Sequence, residues 1–203
     1  LPEGEASLQS ILRAVDRMTR LLADIAELSR IETGALHLQP EALSLGAFLE
    51  TLVEDLRPQA DALGVRIQVS IPEPLRDLVL FVDPLRLHQL LDNLLSNALK
   101  FSPEGGAVHL EVEREGRWMR WKVRDEGPGI APSEQARIFE RFYRSPSARG
   151  IPGTGLGLSI VKHLAGLMDG EVSVTSELGQ GATFTLSLPL VEKERDVPWN
   201  APA

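Results

Sequence analysis

Asn93, Asn97 and Lys100 stand at i, i+4 and i+7 of a leucine-rich stretch, a spacing that lines two amides and an ammonium along one stripe of a helix. Asparagine suits a helix interior poorly because its short amide competes for the backbone, so two of them one turn apart point to ligands. An amide oxygen is a hard ligand suited to Mg2+, which shares its other positions with water and substrate phosphates, and Lys100 adds positive charge for phosphate. A solvated polar face is the alternative. Asp125 closes a predicted strand and is followed by Gly127 and Gly129, which puts a carboxylate at the sheet rim beside backbone with no side chains to block a flat ring. A carboxylate accepts hydrogen bonds and an exocyclic ring amine donates them, so this position would favour adenine over guanine. An ordinary turn is the alternative.

Gly153-Thr154-Gly155-Leu156-Gly157-Leu158 runs into another predicted helix, so free N–H groups and the positive helix end lie beside a flexible loop. Such ends take phosphate, although a glycine-rich connection of this kind also serves as a plain linker. No Gly-Lys-Ser/Thr follows and no strand leads straight into the glycines, which excludes a Walker loop and a dinucleotide-binding turn. Between the two glycine islands, Ile138-Phe139-Glu140-Arg141-Phe142-Tyr143-Arg144 leads into residues 145–152, read as a mobile lid. Arg141, Arg144 or Arg149 would reach a terminal phosphate as the lid closes, with Arg144 the catalytic candidate beside Asn93 and Lys100. Phe139 and Phe142 are read as core residues.

The elements that must position these islands follow from hydrophobic periodicity. From Ser7 to Glu32, Leu8, Ile11, Val15, Met18, Leu22 and Ile25 recur at steps of three and four, which predicts one long helix with Gly34 as its stop. The apolar seam fits a dimer helix, or a helix packed on its own domain. A second helix is predicted over Leu45–Leu63, a strand over Val65–Ile71 and a short strand over Leu78–Val82. Asp83-Pro84 supplies the N-cap and first-turn proline of the helix Leu85–Phe101, which carries the asparagine stripe. Val108–Arg114 and Trp118–Arg124 read as a hairpin around Glu115-Gly116. A short helix over Ser133–Phe139, a helix over Leu156–Met168, strands over Glu171–Ser176 and Ala182–Leu188, and a patternless tail from Val191 complete the chain. This order predicts an α+β fold, a two-layer α/β sandwich with a mixed sheet covered on one face by helices and preceded by a long helix.

Composition bounds the function. The 203 residues are 43% hydrophobic and 25% charged, ordinary for a globular chain. A net charge of −8 argues against a nucleic-acid or anionic-membrane surface, since both attract clustered positive charge. With no cysteine there are neither disulfides nor thiolate metal sites, which fits a reducing, cytoplasmic compartment. The apolar runs are too short to cross a bilayer. A first residue of Leu1 rather than methionine is expected of a piece of something longer, from which a membrane anchor has room to be missing.

Taken together, the islands resemble the motifs of the sensor histidine kinases of two-component systems, whose catalytic domain shares the Bergerat-type ATP-binding fold of gyrase, Hsp90 and MutL. Asn93 to Phe101 resembles the asparagine box, Asp125 to Gly129 the first glycine box, Phe139 to Phe142 the phenylalanine box, Gly153 to Gly157 the second glycine box, and Gly179 to Phe184 the closing glycine turn and strand. The resemblance implies that Asn97 holds Mg2+ with Asn93 assisting, that Lys100 touches phosphate, that Asp125 reads adenine and that Phe101 lies against the base. ATP contacts are expected from Gly127, Gly129, Ile130, Gly153, Thr154, Gly155, Leu156, Gly157, Leu158 and Thr183. The related ATPases carry a glutamate base where this chain has Asn93, and an amide cannot take a proton from water, which favours transfer over hydrolysis.

Leu28 to Gly34 resembles the end of the second helix of the family's dimerisation hairpin. Residues 1–38 are therefore expected to be that helix, 39–190 the catalytic domain and 191–203 a disordered tail. His37, His88, His109 and His163 lie in no segment resembling the phosphoacceptor, which is expected upstream of Leu1. A response-regulator receiver domain and a homodimer of the intact parent are the implied partners.

Overall fold

The computed structural model describes residues 2–148 and 150–191. Helix α1 (Pro2–Glu32) is followed by β1 (Glu41–Ser44), α2 (Leu45–Leu63), β2 (Arg66–Ser70), the short α3 (Glu73–Arg76) and β3 (Val79–Val82). Then come α4 (Pro84–Phe101), β4 (Ala107–Glu115), β5 (Trp118–Arg124), the short α5 (Pro132–Gln135), α6 (Gly157–Leu167), β6 (Glu171–Ser176) and β7 (Ala182–Pro189). Five strands form one sheet in the order β2-β4-β5-β7-β6, in which β2 and β4 are parallel and every other pair is antiparallel. The mixed sheet and its helical layer agree with the expected α+β sandwich.

Strand alternation separates the two faces. On β5, Met119, Trp121 and Val123 are buried beneath the helices, while Arg120, Lys122 and Arg124 point the other way. The outward face of β4 carries Glu111, Glu113 and Glu115, and Lys122 reaches Glu113 at 2.6 Å while Arg120 pairs with Glu115. On the inner face α4 is the central helix: Leu87, Leu90, Leu91, Leu94, Leu95, Ala98 and Leu99 are all essentially inaccessible to solvent. Each such leucine contributes about 1.5–3 kcal/mol relative to exposure. Asp83 caps this helix by accepting the Arg86 N–H at 3.0 Å, and Pro84 occupies the first turn, as expected from the sequence.

Three expectations change. Glu41–Ser44, unassigned in the sequence, pairs antiparallel with β3 in a small separate sheet, so β3 does not join the main one. The expected helix over Ser133–Phe139 breaks into α5 and a 3-10 turn at Arg137–Phe139. Val191, read as the start of the tail, is buried, and its carbonyl accepts the Phe81 N–H at 2.8 Å. Residues 192–203 and Arg149 lie outside the described residues.

Helix α1 packs on α6 through Leu28, which joins Leu156 and Ile160 in a small cluster of its own. Its predicted seam faces solvent: Leu8, Ile11, Val15, Met18, Leu22 and Ile25 are 44–65% exposed. The helix thus meets the domain with a different face from the apolar one.

Gly129 has φ +73°, and a Cβ there would lie 2.0 Å from the Glu177 carbonyl oxygen. Gly34, with φ +67°, has open space around it. Gly129→Ala should therefore cost about 2–4 kcal/mol in urea unfolding, against about 1 kcal/mol for Gly34→Ala. Equal losses at the two positions would show that the Gly129 crowding is relieved at no cost.

Candidate functional site

A cavity of about 990 Å3 opens between α4, the start of α6, the 125–130 turn and the 143–155 loop. Asn93, Asn97, Lys100 and Phe101 line it from α4, and Asp125, Gly129 and Ile130 from the end of β5. Gly153, Thr154, Gly155, Gly157 and Leu158 close it from the glycine-rich loop and α6. Residues as far apart as Asn93 and Gly157 thus meet across one space: a Cβ on Gly157 would lie 2.8 Å from Asn93 Oδ1, so any larger residue there would displace the amide.

Asp125 is 4% exposed, and its Oδ1 accepts the Gly127 N–H at 2.8 Å and the Ala182 N–H at 3.1 Å. Among the described residues no donor is spent on Oδ2, which leaves it for a donor in the cavity. Burial pushes the Asp125 carboxyl above its ordinary value, against the pull of those two backbone N–H groups. Burial, with Arg20 nearby, holds the Lys100 ammonium below its ordinary value, while Asp92 and Asp24 pull it back up. Desolvated charges of this kind gain from a ligand of opposite sign. Asn93 Nδ2 donates to the Gln89 carbonyl at 2.9 Å, which fixes the amide and orients its oxygen. At the start of α6 the N–H groups of Gly157 and Leu158 have no intrahelical acceptor.

Some expected contributors lie elsewhere. The Leu156 side chain is fully buried against Leu28 and Ile160 and does not line the cavity. Thr183 follows strand alternation: Ala182 and Phe184 line the cavity, so Thr183 lies on the opposite face of the sheet with Arg124 and Lys122. Gly127 sits behind Asp125, where a Cβ would lie 2.8 Å from both Asp125 Oδ1 and the Phe101 carbonyl. Its role is close approach rather than a place in the wall. Arg144 lines the cavity, but its guanidinium donates to the carbonyls of Ala148 (2.9 Å) and Ile151, holding the loop together. Arg141 turns away and pairs with Glu32 of α1. Phe139 meets Phe184 edge-on, as a core residue should, whereas Phe142 is 61% exposed with φ +61°. Its N–H donates to the Gly155 carbonyl at 2.9 Å, tying the aromatic segment to the glycine loop.

Helix α1 contributes to the cavity in a way that its own periodicity does not reveal. Arg20 and Asp24 stand in the cavity wall, and Thr154 Oγ1 donates to Asp24 Oδ2 at 2.9 Å. Asp92 and Ser96 also line it, on the α4 stripe next to the asparagines, and their i, i+4 spacing was the available signal.

This arrangement suits adenine at the Asp125 end and phosphates between Lys100 and the start of α6. Residues 82–192 match the family described as histidine kinase-, DNA gyrase B- and HSP90-like ATPases. The chain belongs to that family. It contains the family's ATP-binding catalytic domain, preceded in this chain by the long helix α1. It is 37% identical over 184 residues to the circadian input-output histidine kinase CikA of Synechococcus elongatus, a match covering 90% of this chain and 24% of CikA. It is 35% identical over 196 residues to the sensor histidine kinase RcsC of Escherichia coli, covering 94% of this chain and 20% of RcsC. The chain thus spans a quarter or less of these relatives. The structure of full-length ShkA in complex with AMPPNP superposes with a TM-score of 0.81 at 33% identity, covering 93% of this chain and 39% of that one. No helix among the described residues is long and apolar enough to cross a membrane.

A carboxyl whose pKa rises on folding binds its proton more tightly in the folded state. Its stabilising contribution is therefore complete below the unfolded pKa and is lost as pH rises through the folded one. Asp125→Asn keeps an oxygen for the two backbone N–H groups and removes the buried charge. Its Tm should exceed that of the parent by a few degrees at pH 7, the difference shrinking as pH falls through the raised folded pKa and being gone below about 4. ATP affinity should fall at least about 10-fold in the same variant. A lower Tm at pH 7 would identify the carboxylate as a structural keystone instead.

Proposed function

We propose that this chain is the ATP-binding catalytic region of a sensor histidine kinase. In this reading it transfers the γ-phosphate of ATP to the imidazole of an acceptor histidine supplied by another helix, for relay to an aspartate of a response-regulator receiver domain. The observation that carries the reading is the convergence of Asp125, the Asn93–Asn97–Lys100 stripe and the Gly153–Leu158 loop on one cavity.

Asp125 Oδ2 accepts from the adenine amine and so fixes the purine, with Phe101 and Ile130 lining its plane. The backbone N–H groups at the start of α6 and the Lys100 ammonium receive the phosphates. Asn97, assisted by Asn93, would hold Mg2+. Both are cavity-lining amides with a hard oxygen, and no cluster of three acidic or histidine ligands competes for that role among the described residues. When bound, Mg2+ supplies charge neutralisation across the phosphates. The chain's own work is alignment, since phosphoryl transfer needs little covalent help from the protein.

An ATPase of the gyrase or Hsp90 kind is the competing reading; it would need a glutamate base such as Glu126 or Glu140, and their positions argue against it. Glu126 lies outside the cavity wall, with Oε2 accepting the Ala107 N–H at 3.0 Å, and Glu140 lies near Arg137. Asn93 cannot accept a proton from water. Residues 1–38 read as the second helix of a dimerisation hairpin and 39–190 as the catalytic domain, with the exposed seam of α1 supporting a homodimer in the intact parent.

The test is complementation. A longer protein that carries its acceptor histidine but has Asn97→Ala should fail to label itself with radioactive ATP by about 100-fold or more. Adding this chain intact should restore label on that histidine. Normal self-labelling by the Asn97→Ala protein would refute the magnesium role, and phosphate release without label on histidine would favour the ATPase.

A further inference from the structure

Helix α1 is held to the domain by acids. Glu27, only 6% exposed, accepts from Arg86 Nη1 of α4 at 2.5 Å and also pairs with Arg30 of its own helix. Glu32 pairs with Arg141, just before the 143–155 loop. Asp24 takes the Thr154 hydroxyl of the glycine-rich loop. Three carboxylates of one helix therefore reach three elements that frame the same cavity.

The third contact differs in kind. Glu27 and Glu32 each face a guanidinium, which compensates their charge. Asp24 accepts from a neutral hydroxyl, with Arg20 and Lys100 acting on it only through space. Thr154 carries the only side-chain hydroxyl in Gly153–Leu158, and docking leaves its proton committed to Asp24 while its oxygen accepts the Leu156 N–H at 3.3 Å. The carboxylate thus stands beside the loop that receives phosphate, in a cavity wall where charges are poorly screened. A triphosphate arriving there meets a like charge, and it competes with Asp24 for Thr154, Arg20 and Lys100.

We propose that Asp24 sets the nucleotide affinity of the site: α1 docked through Asp24 and a triphosphate bound at the glycine-rich loop oppose each other, so that nucleotide binding frees Asp24 from Thr154. The inference rests on the nucleotide reading given above. The coupling is reciprocal, because a helix that lowers nucleotide affinity when docked is loosened by nucleotide to the same extent.

Calorimetry of the full chain with Mg2+ and AMPPNP tests it. Asp24→Asn keeps an oxygen acceptor for Thr154 and removes the charge, and should tighten binding about 3–10-fold. Glu27→Gln weakens docking at a position outside the cavity wall and should shift affinity in the same direction. Amide exchange over Leu21–Leu28 should quicken when nucleotide is added to the parent chain. An Asp24→Asn affinity equal to the parent's overturns the proposal, and so does a weaker one, the result expected were Asp24 a metal ligand. Absence of any binding by the parent would overturn the nucleotide reading itself, an outcome distinct from either.

Discussion

One buried carboxylate ties the site to the fold. Asp125 follows β5 directly, and through Oδ1 it gathers the N–H of Gly127 in the following turn and the N–H of Ala182 at the start of β7. The neighbouring chain crowds in around it. A Cβ on Gly181 would lie 2.0 Å from the Asp125 carbonyl oxygen, and one on Gly127 would lie 2.8 Å from the carboxylate. The glycines there are demanded by contact, and the carboxylate that they surround keeps one oxygen for the cavity. Burying that charge is a standing cost, which a hydrogen-bond donor in the cavity would offset.

The second requirement is that α4 do two things at once. Its leucines face the sheet and the neighbouring helices without exposure, while Asn93, Asn97 and Lys100 come up on the cavity side. A helix anchored by that many leucines cannot rotate, because any turn would expose apolar surface and bury amides. The stripe is consequently fixed relative to Asp125 by hydrophobic packing alone. Precision in the polar residues is a product of the apolar ones.

Much of this was legible in the sequence where local rules and tertiary demands agree. Asp83-Pro84 announced α4, the alternation of Trp118–Arg124 announced β5, and the polar islands announced the cavity. What escaped was non-local or locally ambiguous. Glu41–Ser44 becomes a strand only through pairing with β3, and its two apolar residues carry no pattern of their own. The Asp24–Thr154 bond joins residues 130 apart in sequence, so no spacing rule reaches it. Phe142 takes a left-handed backbone that no aromatic residue advertises, because its N–H is drawn to Gly155. Thr183 was open to a better reading: with Ala182 and Phe184 facing inward, alternation alone sends it outward.

Helix α1 joins two surfaces that the chain treats oppositely. Its acidic face holds the domain through Arg86, Thr154 and Arg141, and its apolar face, from Leu8 to Ile25, stands in solvent. Ile25 follows Asp24 directly and Leu22 lies two residues before it, so the rod that carries the carboxylate also carries the seam. A continuous helix transmits rotation along its length, since twisting it in one place would break the i to i−4 bonds between. Whatever covers the apolar face therefore bears on how firmly Asp24 is seated, and the proposed opposition between nucleotide and Asp24 runs back along the same rod. The cavity and the seam are served by one mechanical element, and Asp24 is the acid of that element that stands in the cavity wall.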